Sequence, residues 1–362
     1  MGANWGHNLR LSIFGESHGK AIGINIDGIP GGIELNMERI EKDMKRRAPG
    51  RNNFSTQRKE KDEIEILSGV YEGKTTGAPL CAIIRNEDKR SKDYSLLKEV
   101  MRPSHSDYPA YVKYHGYNDV RGGGHFSGRI TAPLVFAGGI AKEILSKKGI
   151  YIGAQIKKIK NIEIESLNSL TLENFQKLAE KEMAILDDEK ILEVKEEIEK
   201  VRKDQDSIGG IIECYAIGLP SGIGEPFFDS LESTIAHLAF SIPAVKGIEF
   251  GKGFDITSLY GSEANDEYCY QNGRVTCKSN NNGGILGGIS TGMPVIFRVA
   301  IKPTPSISKI QKTINVKTKE ECELAIEGRH DPCIVPRAVV VIEAIMALAL
   351  LENLYEGRDK YE

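Results

Sequence analysis

Residues 338–351 are apolar at every position but one, Glu343. A helix without a polar face cannot lie on the surface of a globular protein and has to be covered on all sides. The run is shorter than the roughly 20 apolar residues that cross a bilayer, so the expectation is a buried helix rather than a membrane span. A second apolar helix is expected over 127–145, where Pro133 is tolerable only near the first turn. Strand-like segments interleaved with such helices point to helices covered on both sides by sheet.

Those strands are read from period-two alternation. Leu11 and Ile13, then Ile22, Ile24 and Ile26, mark two strands around Gly15–Lys20. Others are expected at 63–67, 78–85, 208–217 and 294–302, the last with Val295, Phe297, Val299 and Ile301 on one face. Asn36 can cap a helix with Met37, Ile40 and Met44 inward, stopped by Pro49-Gly50. A helix over 229–240 turns Leu231, Ile235 and Leu238 inward and places His237 on its inward half. Helix 336–354 closes the chain. Residues 171–206 differ in kind. From 187 to 206, 14 of 20 residues are charged, while Ile191, Val194, Ile198 and Val201 keep a narrow helical stripe. A solvated helical excursion from a single domain, 1–362, is expected, because no Pro- or Ser-rich linker divides the chain.

Net charge is −3, which argues against the broad positive footprint that nucleic-acid binding needs. Residues 1–7 have neither a basic nor an apolar leader region, so the expected compartment is the cytoplasm. The six cysteines are irregularly spaced and form no CxxC pair. The histidines show no HxH or HxxxH spacing. No disulfide framework and no metal site are expected. The standard nucleotide motifs fail as well: 68–75 nearly spells a P-loop but begins on Ser68, and no GxGxxG follows a strand.

Five segments are instead dense in Gly, His, Ser and Arg: 15–19 with His18, 45–51 with Arg47 and Arg51, 102–109 with His105 and Asp107, 121–129, and 328–333 with Arg337 beyond. Singly, each has a structural explanation. Cations in a last helical turn answer the helix dipole, and a histidine in a loop is most often only solvated. Two of the segments run into apolar helices, whose N-termini favour anions. His105, between hydroxyls and Asp107, is a candidate proton donor. Arginines past a helix end suit a small polyanion. Loops 279–288 and 302–306 add hydroxyls, an ammonium and freely turning backbone, a mixture that binds flavin phosphates and many other ligands.

Taken together and in order, GESHG at 15–19, RPSHSDYP at 102–109, RGGGHFSGR at 121–129, IPAVKG at 242–247, GGILGGIS at 283–290, KPTPS at 302–306 and GRHDP at 328–332 resemble the chorismate synthase family over about 320 residues. The resemblance implies an α+β fold built as a β–α–β sandwich, with a central layer of apolar helices between antiparallel sheets, assembled as a homotetramer. It implies 1,4-anti elimination of phosphate from 5-enolpyruvylshikimate 3-phosphate with reduced FMN. The electrons for the flavin come from NADPH or from an external flavin reductase. By the same resemblance His18, His105 and Asp331 are the catalytic residues. FMN contacts fall on His125, Phe126, Ser127, Ala244, Gly287, Lys302, Pro303, Thr304, Pro305, Ser306 and Arg329, and substrate contacts on Arg47, Arg51 and Arg129. In this chain His125 stands where many members have Arg, and Pro305 where a hydroxyl is usual. Asn53 takes the place of a basic residue, for which Arg51 is the candidate replacement.

Overall fold

The computed structural model describes residues 2–50, 62–86, 96–326 and 331–356, the last residue by its backbone only. Arg51, Asn53 and Arg329 lie outside the described residues. Two five-stranded sheets carry the fold, and every neighbouring pair of strands in them is antiparallel. The N-terminal sheet has the spatial order Asn4–Trp5, Arg10–Gly15, Ala21–Asp27, Leu80–Arg85, Ile64–Ser68. The C-terminal sheet runs Val245–Phe250, Val295–Ile301, Gly210–Ile217, Tyr151–Ile159, Ile162–Glu163. Register follows the alternation. Ile24 pairs with Ile13 on one side and Ala82 on the other, so Ile22, Ile24 and Ile26 share a buried face with Leu80, Ala82 and Ile84. In the second sheet Cys214 pairs with Phe297 and Ala154, and Val295, Phe297, Val299 and Ile301 are all buried as expected.

The helices are α1 (Met37–Arg47), α2 (Asp107–Lys113), α3 (Thr131–Ser146), α4 (Leu172–Glu180), α5 (Asp188–Lys203), α6 (Leu231–Ser241), α7 (Gly261–Ala264) and α8 (Val335–Glu356). Asn36 caps α1 by accepting from the Arg39 amide at 3.1 Å. Pro133 is the third residue of α3, in the first turn, where its missing N–H costs nothing. The helix begins four residues later than the sequence predicts, because Gly128–Ile130 forms a 3-10 turn capped by Ser127. α3 packs against α1, α8 and strands of both sheets, and α8 packs against α1, α3, α6 and two strands of the C-terminal sheet. Gly138 makes the α3–α8 crossing close: a Cβ there would fall 2.3 Å from that of Ala344.

Three expectations change. α8 is longer than the apolar run that announces it. By length and composition it could cross a membrane, yet 83% of its most apolar stretch is buried within this chain. The charged stretch is two helices, α4 and α5, and it covers the outer face of the C-terminal sheet: Phe175 stacks on Tyr215 with centroids 6.2 Å apart, and Val194, Ile198 and Val201 are buried. His237 is exposed, two positions off the Leu231–Ile235–Leu238 stripe. It lines a cavity of about 540 Å³ with His7, Arg10 and Asp27, which contains none of the expected site residues.

Glu343, the one charge in the apolar run, is met by Arg46 at 2.7 Å and Lys142 at 2.6 Å, with Asp43 touching both cations. Arg46 therefore serves the interior, not the helix dipole. Burial opposes each of these charges, and the opposite charges overcome it, raising the pKa of Arg46 and Lys142 and lowering that of Glu343 and Asp43.

Candidate active site

The glycines at 122–124 all take left-handed or related conformations, with φ of 59°, 82° and 55°. Histidines stand against the first two of them, and the Asp119 carbonyl stands against Gly124. A Cβ on Gly122 would fall 2.1 Å from His18 Nδ1, and one on Gly123 would fall 3.5 Å from His105 Nε2. Consecutive Cα atoms are about 3.8 Å apart. Two histidines from loops 87 positions apart thus flank neighbouring residues. The His18 loop is fixed by backbone contacts: Ser17 donates to the Gly124 carbonyl at 3.1 Å, and Gly19 closes a turn on the Glu16 carbonyl at 2.9 Å. His125 reaches back through Nδ1 to the Gly15 carbonyl at 2.9 Å.

His105 is held from behind. Its Nδ1 lies 2.7 Å from Asp107 Oδ1, so the neutral ring carries its proton on Nδ1 and turns Nε2 toward Gly123. Arg102 grips both oxygens of Asp107, at 2.7 and 2.8 Å, and adds its own backbone N–H at 3.1 Å. Burial works against the Asp107 charge, but Arg102 and His105 hold its carboxyl well below the usual range. For His105, burial lowers the pKa below 6.5, Asp107 pulls it up, and Arg102 and Lys302 push it further down.

The 302–306 segment is tied to this loop. Lys302 Nζ donates to the carbonyl of Ser104, itself at φ 57°, and Arg102 reaches Ser306 Oγ at 3.4 Å. The Lys302 amide donates to the carbonyl of Ala244, held at φ 74°. Burial, with Lys246 nearby, lowers the Lys302 pKa. Thr304 Oγ1 is buried and has no hydrogen-bond partner among the described residues. Phe126 sits half-exposed beside Tyr114, and Ser127 is beside His105 across Gly123. Gly287 is exposed, and its neighbour Gly288 packs against the Glu225 carbonyl and against Ser230, the N-cap of α6.

A chain of buried polar contacts joins the remaining segments. Asn86 donates to the carbonyls of Glu16 and Gly19, at 3.0 and 3.1 Å, and accepts from Arg129 Nε at 2.6 Å. Arg129 and Arg47 share the carboxylate of Asp62. The Arg47 carbonyl accepts from Arg337 Nε at 2.9 Å, and Arg337 pairs with Asp331. Sequence reasoning missed Asp62, Asn86 and Asp119. The last pairs with Arg121 through two contacts of 2.8 and 2.7 Å and lies near enough to His18 for the two to interact. Only Asp119, beside the RGGG motif, stood next to a readable signal.

The chorismate synthase family model matches residues 9–355. The chain belongs to the chorismate synthase family. Chorismate synthases from Pyrococcus abyssi and Thermococcus kodakarensis are 47% and 45% identical to it, covering 96% and 98% of both chains in each pair. That of Methanocaldococcus jannaschii is 46% identical over 98% of this chain and 96% of its own. A crystal structure of a chorismate synthase superposes with a TM-score of 0.78 at 32% identity, covering 97% of this chain and 93% of that one. Members of the family are lyases of the shikimate pathway and need a reduced flavin. The donors here fit a ligand of that kind: a buried hydroxyl at Thr304 without a partner among the described residues, the Lys302 ammonium and the Ser306 hydroxyl for a phosphate, and aromatic and imidazole faces at Phe126 and His125.

Proposed function

We propose that the chain converts 5-enolpyruvylshikimate 3-phosphate into chorismate by 1,4-anti elimination of phosphate, with no net redox change. The observation that carries this reading is the approach of His18 and His105 to consecutive glycines, where a proton donor can face a leaving group while a second imidazole faces an anion. Reduced FMN supplies the electron density that the allylic system needs. Residues 125–127, Ala244, Gly287, 302–306 and Arg329 would hold it. His105 gives a proton to the departing phosphate from Nε2, and Asp107 with Arg102 keeps its ring turned for that transfer. Arg47, Arg51 and Arg129 bind the substrate's carboxylates and phosphate. Asp331, anchored by Arg337, is the carboxylate that takes up the proton lost from the ring.

Phosphate release measured under argon with reduced FMN and substrate tests the reading. Release with the flavin left reduced is expected, and stoichiometric flavin oxidation would indicate an FMN oxidoreductase instead. Asp331→Asn is expected to keep FMN affinity while turnover falls by roughly 10²-fold or more. Unchanged turnover removes Asp331 from the chemistry.

The architecture reads as one domain, a β–α–β sandwich, supported by α3 touching strands of both sheets. A homotetramer is the proposed assembly. Phe227, Phe228, Phe254, Tyr260 and Tyr270 are each at least 78% exposed, apolar rings that an interface between copies would cover. The proposed compartment is the cytoplasm, with NADPH or a separate reductase supplying electrons.

A further inference from the structure

Asp62 is not among the groups assigned above to substrate or cofactor, yet it joins two of them. Its side chain is fully buried. One oxygen receives Arg47 Nη2 at 2.5 Å and the other receives Arg129 Nη1 at 2.7 Å. Arg47 ends α1, and Arg129 lies in the 3-10 turn before α3, so a single carboxylate ties two elements together. Each guanidinium also has a second contact: Arg129 Nε donates to Asn86 Oδ1 at 2.6 Å, and Arg47 Nη1 reaches the Gly128 carbonyl at 3.5 Å.

Two buried guanidiniums side by side repel each other. Burial lowers the Arg47 pKa, Asp62 raises it, and Arg337 and Arg129 lower it again. Among the described residues, Arg47 and Arg129 share the one carboxylate of Asp62, and Arg337 pairs with Asp331. Arg47 Nε is buried without a hydrogen-bond partner among the described residues, so the pair keeps capacity for a further anion. Asp62 itself sits at φ 50°, a conformation Asp tolerates better than most residues.

We propose that Asp62 is a positioning residue for substrate binding, bridging Arg47 and Arg129 and so fixing the spacing of the two guanidiniums that receive the substrate's anionic groups. The proposal rests on the assignment of those arginines to the substrate. Asp62→Asn keeps the shape but presents one acceptor and one donor group in place of two acceptors, so one guanidinium loses its partner.

The test compares Asp62→Asn, Asp62→Glu and Arg129→Lys, loaded with reduced FMN under argon, by KM and kcat and by equilibrium titration with 5-enolpyruvylshikimate 3-phosphate. Asp62→Asn is expected to raise KM and the dissociation constant about tenfold or more, the scale of a lost charge-assisted hydrogen bond, with kcat within about threefold. Asp62→Glu restores the charge one methylene out of place and is expected to recover part of that loss. If Asp62→Asn does not fold, Asp62→Glu must still raise KM by about threefold for the proposal to stand. An unchanged KM in both variants, with only thermal stability lowered, overturns it. A lower KM also overturns it, because Asp62 would then be a competitor that the substrate displaces. Unchanged binding in Arg129→Lys strikes at the substrate assignment of the arginines instead.

Discussion

Replacing His105 by alanine is expected to lower turnover by roughly 10²-fold or more, the size of a lost general acid. The ring is not free to choose its tautomer. Asp107 accepts a hydrogen bond from Nδ1–H at 2.7 Å, and Arg102, by holding both Asp107 oxygens, keeps that carboxylate ionised. Nε2 is left to face Gly123. Because burial, Arg102 and Lys302 together outweigh Asp107, the pKa of His105 lies below 6.5 and the ring is neutral at pH 7 before substrate arrives. A phosphate dianion beside Nε2 raises that pKa, so His105 gains its proton as the substrate binds. The pH profile follows with a definite sign. kcat/KM reports the free enzyme and should fall as pH rises through a value below 6.5, whereas kcat, which reports the complex, should hold to higher pH. In His105→Ala the acid-dependent limb of kcat/KM disappears. Near-normal turnover in that variant would take His105 out of the mechanism, and a wild-type profile flat from about pH 5 to 8 would remove the protonation argument.

The parts of the molecule legible in advance are those where one residue type repeats with the period of its element. Ile22, Ile24 and Ile26, or Val295 through Ile301, can lie in a half-buried strand and little else, and the strand bounds fall within about two residues of those expected. The Asn36 cap was readable for the same reason, since its effect is local. Asp62 and Asn86 were not readable. Each sits in an unremarkable stretch, and its meaning comes from partners 15 to 70 positions away that only the fold assembles. The α4–α5 pair shows a related failure: charge density reads as solvation, but three buried side chains on one stripe suffice to seat α5 against the protein while none of its charged residues is fully buried. His18 and His105 were singled out by their motifs, yet nothing in the sequence shows that Gly122 and Gly123 are the shared floor beneath them.

Ala347→Asp is expected to prevent folding. Ala347 is fully buried in α8, within a helix that packs against α1, α3, α6 and two strands of the C-terminal sheet. Glu343, one turn earlier, shows what a carboxylate requires there: Arg46 and Lys142 both reach it, and Asp43 balances them. The site of Ala347 belongs to the apolar cluster. An acid introduced there would stay protonated, because burying its charge costs far more than shifting its pKa. Even the neutral group costs about 2 to 7 kcal/mol without hydrogen-bond partners, and the extra volume in a close-packed layer adds about 1 to 3 kcal/mol. Against a total stability of about 5 to 15 kcal/mol, that is enough to remove the native state or nearly so. Leu192→Asp is the control, since Leu192 is 64% exposed on α5 and its replacement should change stability by no more than about 0.5 kcal/mol. Soluble yield, near-ultraviolet circular dichroism and denaturant unfolding of the two variants decide the matter. A cooperative, fully folded Ala347→Asp protein would mean that α8 is not enclosed as described, and the expectation that a helix without a polar face must be covered on every side would fail with it.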